Sequence, residues 1–279
     1  MTDQGDRSLQ DWFPKPILSA ARNSRDWLGR IRQYPAAFLH PWRLRSIQKL
    51  RSYHNKYRGE RCIVIGNGPS LRKMDLSLLQ REITFGMNRV YLAFEEWGFS
   101  TSFLVSVNDL VIEQCRDDFH GLRMPKFLSW HSRDRLYPQG TPDPQTHFLF
   151  TTYTGPKFTE HAACRMWEGA TVTYVCLQLA FFMGFETVIL IGVDHHFEST
   201  GRANQTVISQ GADRNHFLST YFGKGFRWQL PDLKTSEAAY RMAREAFQQD
   251  GRKIVDATLD GQLTVFPKAD FNSLLSSEG

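Results

Sequence analysis

Cysteine is scarce in this chain, four in 279 residues, and Cys62, Cys115, Cys164 and Cys176 lie far apart. They form neither a C-x-x-C pair nor a dense pattern, which excludes a disulfide-stapled scaffold and fits a reducing compartment. Each reads as a small buried hydrophobe. No run of about 18 apolar residues occurs, so no spanning helix is encoded. Met1 to Gln10 is polar and lacks the apolar centre of a secretory signal, so a cytoplasmic location is expected. No D-x-D carboxylate pair, internal repeat or low-complexity segment is present.

What is there is enough apolar material, 41% of residues, for one sizeable core or a core with an appendage. Charge is unevenly placed. Residues 1–58 hold twelve Lys and Arg against four Asp, a net of +8, whereas the remainder holds 22 basic and 25 acidic residues. The sequence pI of 9.0 therefore describes the N-terminus. Pro14, Pro16, Pro35 and Pro41 break that segment into two helix-length stretches, 17–34 and 42–57. Apolar Ile17, Trp27, Leu28 and Ile31 alternate with Arg22, Arg25, Arg30 and Arg32, and Trp42, Ile47 and Leu50 with Arg43, Arg45, Lys49 and Arg51. Basic amphipathic helices of this kind lie on anionic membranes, or pack on a domain with the basic face solvated. No nucleic-acid motif accompanies the charge, so no nucleic-acid partner is expected. The segment 1–58 is expected to be a basic helical appendage to a domain over 59–279.

From residue 61 strands and helices alternate. Short apolar runs at 61–65, 83–87, 103–107, 186–193 and 253–256 read as buried strands. Uniformly apolar Val172 to Phe182 reads as a buried helix stopped by Gly184, and Ser236 to Gln249 as a helix capped at Thr235 or Ser236. Residues 120–170 look loop-rich, 195–231 polar and aperiodic, and Gly261 to Phe266 fits a small edge strand. This order predicts an α/β fold, a mostly parallel sheet with helices on both faces. Ligands of such sheets bind beyond the carboxyl ends of the strands, which gathers Asn67, Asn88, Asn108 and Asp194 onto one rim.

The first strand ends in Gly66-Asn67-Gly68-Pro69-Ser70. The loop is neither a Walker A motif nor G-x-G-x-x-G. Its glycines would let backbone N–H groups approach phosphate oxygens, with the Ser70 hydroxyl as a further donor. His195 and His196 follow Asp194, but neighbours at a strand end point opposite ways, so one metal would not take both. No metal site is expected. Tyr221 to Trp228 mixes cations and aromatic rings; Lys224, Arg227 and Trp228 are candidates for an acceptor contact or a lid.

CIVIGNGPSL, then TFGMNRVYL some twenty residues on, resembles the bacterial sialyltransferases that use CMP-sialic acid. It also resembles the wider MptE-like family, named after an archaeal 6-hydroxymethylpterin diphosphokinase. The likeness runs on through Asn108-Asp109, Thr171 to Thr173 and MGFETVILIGVDHHF, over about residues 61–270, with 1–58 outside it. It implies a single Rossmann-like, GT-A-like domain. It implies that Gly66, Asn67, Gly68, Ser70, Asn88, Asn108, Thr171, Thr173 and Asp194 hold a nucleotide-linked donor. Asn215-His216-Phe217 resembles the segment carrying the sialyltransferase histidine, which makes His216 the candidate general base, a role suited to imidazole near neutral pH. The family's phosphate-binding tyrosines are not matched, so His196 and Tyr221 are the candidates for the leaving phosphate.

The expected activity is glycosyl transfer from a nucleotide sugar, with a CMP-nonulosonic acid as the suggested donor and a lipid-borne or envelope glycan as acceptor, and with no cofactor. The segment 1–58 would place the enzyme at an anionic membrane surface. One alternative is a magnesium-dependent diphosphokinase passing pyrophosphate from ATP to a pterin-like alcohol. Against it stands Ser106-Val107-Asn108-Asp109, with one carboxylate where a pair would hold the metal. The other alternative is a nucleotide-binding protein without chemistry.

Overall fold

The computed structural model describes residues 34–153 and 155–276, and before them the single positions 24, 28 and 31. Eleven strands follow in chain order: β1 (Arg61–Ile65), β2 (Thr84–Met87), β3 (Phe103–Ser106), β4 (Lys126–Ser129), β5 (Thr146–Leu149), β6 (Thr151–Thr152), β7 (Met166–Trp167), β8 (Thr187–Ile191), β9 (Thr206–Ile208), β10 (Arg227–Gln229) and β11 (Lys253–Asp256). Seven of them form one parallel sheet in the order β11-β8-β1-β2-β3-β4-β5. The fold is Rossmann-like α/β. Side chains of β1 alternate between two cores: Cys62 and Val64 enter one, Ile63 and Ile65 the other. The first core is closed by the helices Val172–Met183 and Leu233–Gln249. From Thr173 to Met183 every residue of the former is buried, and Gly184 ends it in the left-handed region at φ 95°.

The five strands expected from apolar runs are present. β4 and β5 were hidden in the stretch that looks loop-rich. Each has four residues, and each carries a polar side chain that is buried, Lys126 in β4 and His147 in β5. Such short, interrupted runs give no apolar signature. Polar 195–231 contains the antiparallel pair β9–β10. The cap of the helix Leu233–Gln249 is Asp232, whose carboxylate accepts from Thr235 N (3.1 Å) and Thr235 Oγ1 (2.8 Å). Residues 261–266 form no strand; Leu263, Val265 and Phe266 are buried in the first core instead.

The expectation of an appendage ending at residue 58 is corrected for its described part. The helix Pro41–Arg51 lies against β5, the edge strand. Ser46 Oγ accepts the Phe148 N–H at 2.8 Å, which satisfies a donor on that edge. Arg43 is buried and donates to the carbonyls of Ala163 (2.8 Å) and Cys164 (2.9 Å), and burial pulls its pKa down to about 10. Leu50 and Tyr53 enter the first core, while Asn55 N and Tyr57 N donate to Phe182 O and Met183 O. The segment 34–58 is thus a wall of the domain. Most of the stretch 17–33 lies outside the described residues.

A chain that starts at Gly59 therefore loses the cover of β5 and three buried core side chains, Ala37, Leu50 and Tyr53. It is expected to be unfolded or aggregated by circular dichroism and size exclusion. A folded monomer of that length would return the helix to the status of an appendage.

His147 gives a pH-dependent prediction. Burial, with Lys49 nearby, lowers its pKa from 6.5 to about 4. The unfolded chain then binds more protons than the native one between those values. Stability is complete above about pH 6.5 and falls by roughly 2–3 kcal/mol as pH drops towards 4. Urea unfolding near pH 7 and near pH 4.5 should show this fall in the wild type and a smaller one in His147→Phe.

Candidate functional site

In this strand order β1 lies between β2 and β8, and the chain's direction of travel across the sheet reverses there. The carboxyl ends of β1 and β8 are therefore the switch point, where open α/β sheets bind ligands. Two loops leave it, Gly66–Ser70 and Gly192–Asp194, and they are clasped together. Gly66 N donates to Ile191 O (2.7 Å) and Gly68 N to Gly192 O (2.9 Å). Ser70 N and Oγ donate to the two carboxylate oxygens of Asp194, at 3.1 and 2.7 Å. Burial raises the Asp194 pKa, and the two bonds from Ser70 oppose that rise.

The clasp corrects the phosphate-cradle expectation. The amides of Gly66, Gly68 and Ser70 are already spent within the protein, and the Ser70 hydroxyl is buried against Asp194. The glycines serve loop-to-loop approach: a Cβ on Gly66 would stand 2.1 Å from Gly192 O, and one on Gly68 1.8 Å from Asp194 Oδ2. What the loop offers outward is Asn67. Its Oδ1 is buried with no hydrogen-bond partner among the described residues, and its backbone carbonyl accepts from Phe217 N at 2.9 Å.

Beyond the strand ends opens a cavity of about 630 Å³, the size of a nucleotide-scale ligand site. Asn67, Asn88, Asn108 and Asp194 all line it, as strand order predicted. Asn88 sits at φ 51°, and its Oδ1 accepts from Ser106 Oγ (3.0 Å). Asn108 caps the helix Asp109–Gln114, its Oδ1 accepting from Leu110 N at 2.9 Å. Thr171 and Thr173 line the wall where the helix Val172–Met183 begins, and Thr171 is its N-cap. The positive end of that helix dipole is thus turned towards the cavity.

Part of the cavity wall was legible in the sequence only at Asp109, from the turn after β3. His131, Arg135, Tyr153 and Glu168, from the segments around β4 to β7, line it too. Its carboxylates are engaged. Asp109 accepts from Ser132 Oγ and pairs with Arg135 at 3.4 Å, and Glu168 accepts from Thr151 Oγ1 at 2.6 Å.

His216 lines the same cavity, and its partner is a residue the sequence reading missed. Asp213 Oδ2 lies 2.7 Å from His216 Nδ1, with the carboxylate itself buried. The three-residue spacing of Asp213-Arg-Asn-His216 was the available signal. The Tyr221 ring stacks on the imidazole at 4.1 Å and 7°. Arg72 fixes the backbone below, donating to His216 O (2.8 Å) and Phe217 O (2.5 Å).

Several expected contacts are corrected. Tyr221 is fully buried and outside the cavity lining; its hydroxyl accepts from Arg89 N at 3.2 Å, so it cannot meet a leaving phosphate. Lys224 and Arg227 are outside the lining too, and Arg227 pairs with Glu113 at 2.8 Å. Trp228 does line the cavity, stacked on Phe222 at 5.5 Å. His196 is exposed at the cavity, whereas His195, past the end of β8 and at φ 56°, turns to Glu237 (3.2 Å).

These features define a Rossmann-like α/β protein with a large switch-point cavity and a hydrogen-bonded Asp–His pair in its wall. The chain belongs to the MptE-like family, described as 6-hydroxymethylpterin diphosphokinase MptE-like, whose model matches residues 42–200. The match starts inside the helix Pro41–Arg51, earlier than the resemblance over 61–270, and stops short of Asp213 and His216. Among solved structures the chain is similar to the MAf glycosyltransferase from Magnetospirillum magneticum AMB-1, with 14% identity and a TM-score of 0.46. That likeness covers 94% of this chain and 43% of the other. Comparison with curated proteins gives no match.

The clasp predicts that Gly68→Ala lowers stability by about 1–3 kcal/mol, because the new methyl must displace the Asp194 carboxylate. Asn67→Ala, outside the clasp, should leave the urea midpoint nearly unchanged. Equal midpoints for Gly68→Ala and wild type would show that the loops are not clasped in solution.

Proposed function

We propose that this protein is a transferase that holds a nucleotide-linked donor in the switch-point cavity and uses His216 to deprotonate an acceptor hydroxyl. The observation that carries this reading is the Asp213–His216 pair in the cavity wall. A carboxylate on Nδ1 selects the tautomer protonated there, so the lone pair resides on Nε2. It also stabilises the imidazolium that forms when Nε2 takes a proton. The stacked Tyr221 ring and the Arg72 hold on the backbone remove freedom the base would otherwise lose during reaction.

With a nucleotide sugar, the acceptor oxygen bonds to the anomeric carbon as its proton passes to His216. The bond from that carbon to the phosphate oxygen breaks, and the nucleotide leaves. Its negative charge would be met by the first turn of the helix Val172–Met183 and by His196 at the rim. Asn67, Asn88 and Asn108 supply amides for the nucleotide.

A second reading is supported by the family's own description: the same base would activate an alcohol that attacks ATP and displaces AMP. The magnesium such a reaction uses finds a poor donor set here. Asp109, Glu168 and Asp194, the carboxylates facing the cavity, are each engaged by protein donors. Among the described residues no three His, Cys, Asp or Glu side chains are grouped to hold an ion. The glycosyl reading is therefore placed first.

His216→Ala should lower kcat by about 10²–10⁴ while donor affinity is nearly kept, because the base touches the acceptor. Asp213→Asn should lower kcat with little change in KM. Thermal-shift screening with CMP, CDP, UDP, GDP and ATP, with and without Mg²⁺, identifies the donor. Release of CMP that persists in EDTA supports glycosyl transfer, and AMP release lost on chelation supports the diphosphokinase. Nucleotide binding without turnover, or full turnover in His216→Ala, overturns the proposal.

A further inference from the structure

Seven large hydrophobic side chains are exposed among the described residues, and four of them fall in one short stretch: Leu28 (59% exposed), Ile31 (42%), Leu39 (72%) and Leu44 (48%). The others, Leu78, Ile208 and Leu259, are scattered. Leu28, Ile31, Pro35 and Leu39 are all exposed. Single exposed apolar residues are ordinary, but a clustered row is not.

The charge of the same stretch is one-sided. Between Asp26 and Glu60 lie eight Lys and Arg and no acidic residue. The helix Pro41–Arg51 shows how the two features combine. Its buried side carries Arg43, Ser46 and Leu50. Its exposed arc carries Leu44 and Gln48, with Arg51 on one flank and Arg45 and Lys49 on the other. Leu44 near the centre of the arc, with cations along the margins, lets an apolar side chain enter an acyl boundary while the long basic side chains reach headgroup phosphates.

Stability does not account for this face. The helix is already held by Arg43, Ser46, Leu50 and Tyr53, all on its inner side or just beyond its end. The exposed row adds nothing to that packing.

We infer that residues 34–58 form a docking face for an anionic lipid bilayer, on which the domain lies peripherally through Leu39, Leu44, Arg45 and Lys49. Charge complementarity selects this occupant over a second copy of the chain, because two such faces would oppose like charges. No helix among the described residues is long and apolar enough to cross a membrane, so the contact is one of lying on the surface. The inference stands apart from the chemistry proposed above, since none of these residues lines the cavity.

The test uses the full-length chain and vesicles of phosphatidylcholine with and without phosphatidylglycerol. Sedimentation should show binding to the anionic vesicles only, weakening as salt rises past about 0.1 M, where the screening length falls to about 10 Å. Arg45→Glu with Lys49→Glu should weaken binding roughly tenfold or more. Leu39→Ser with Leu44→Ser should weaken it as well, without loss of the native circular dichroism spectrum. Three results would overturn the inference. One is absence of binding at low salt. Another is equal binding by both double variants and the wild type. The last is a dimer that Leu39→Ser with Leu44→Ser dissolves while vesicles are ignored, which would assign the face to a second copy.

Discussion

The site depends on the clasp between the loop after β1 and the loop after β8. At a switch point two neighbouring loops diverge, and a crevice opens by default. Here the first turns of both loops are tied by four hydrogen bonds, two of them to the Asp194 carboxylate. A half-buried carboxylate is costly unless its oxygens are taken, and Ser70 supplies a donor to each. The glycines at 66 and 68 are the condition for this, since a side chain at either would occupy space already filled by the partner loop. With the strand ends fixed, the cavity is pushed outward, to where Asn67, Asn88, Asn108 and the first turn of the helix Val172–Met183 face one another.

The fold was legible where burial and apolarity coincide. β1 and β8 are almost wholly apolar and buried, and the helix Val172–Met183 has no solvent face from which a polar pattern could arise. β4 and β5 were illegible because their buried positions include Lys126 and His147. Lys126 is tolerated there through its bonds to Leu122 O (2.8 Å) and Asp143 (3.4 Å), partners that no local pattern announces. The helix Pro41–Arg51 misled for the opposite reason. Its basic residues suggested a free surface segment, yet one of them, Arg43, is spent on carbonyls more than a hundred residues away.

For the site, position along the strands was informative and side-chain role was not. The four residues placed on the rim by strand order do line the cavity. What each does there depends on partners distant in sequence: Ser70 on Asp194, Asn88 on Ser106, Tyr221 on Arg89. A hydroxyl that looks available in a glycine loop, or a tyrosine that looks poised for phosphate, is removed from service once such a partner arrives. Asp213 was overlooked because its three-residue spacing to His216 is ordinary in a polar stretch and gains meaning only from the fold that brings the two side chains together.

The same loop that faces the cavity through Asn67 also holds the segment bearing His216. Phe217 N bonds to Asn67 O, and Arg72, from the turn just after the loop, grips the carbonyls of His216 and Phe217. The histidine is thus carried on the loop's own framework, although about 150 residues of chain separate them. Any displacement of that loop would translate the imidazole with it, so the alignment of Asn67 and His216 is kept by linkage.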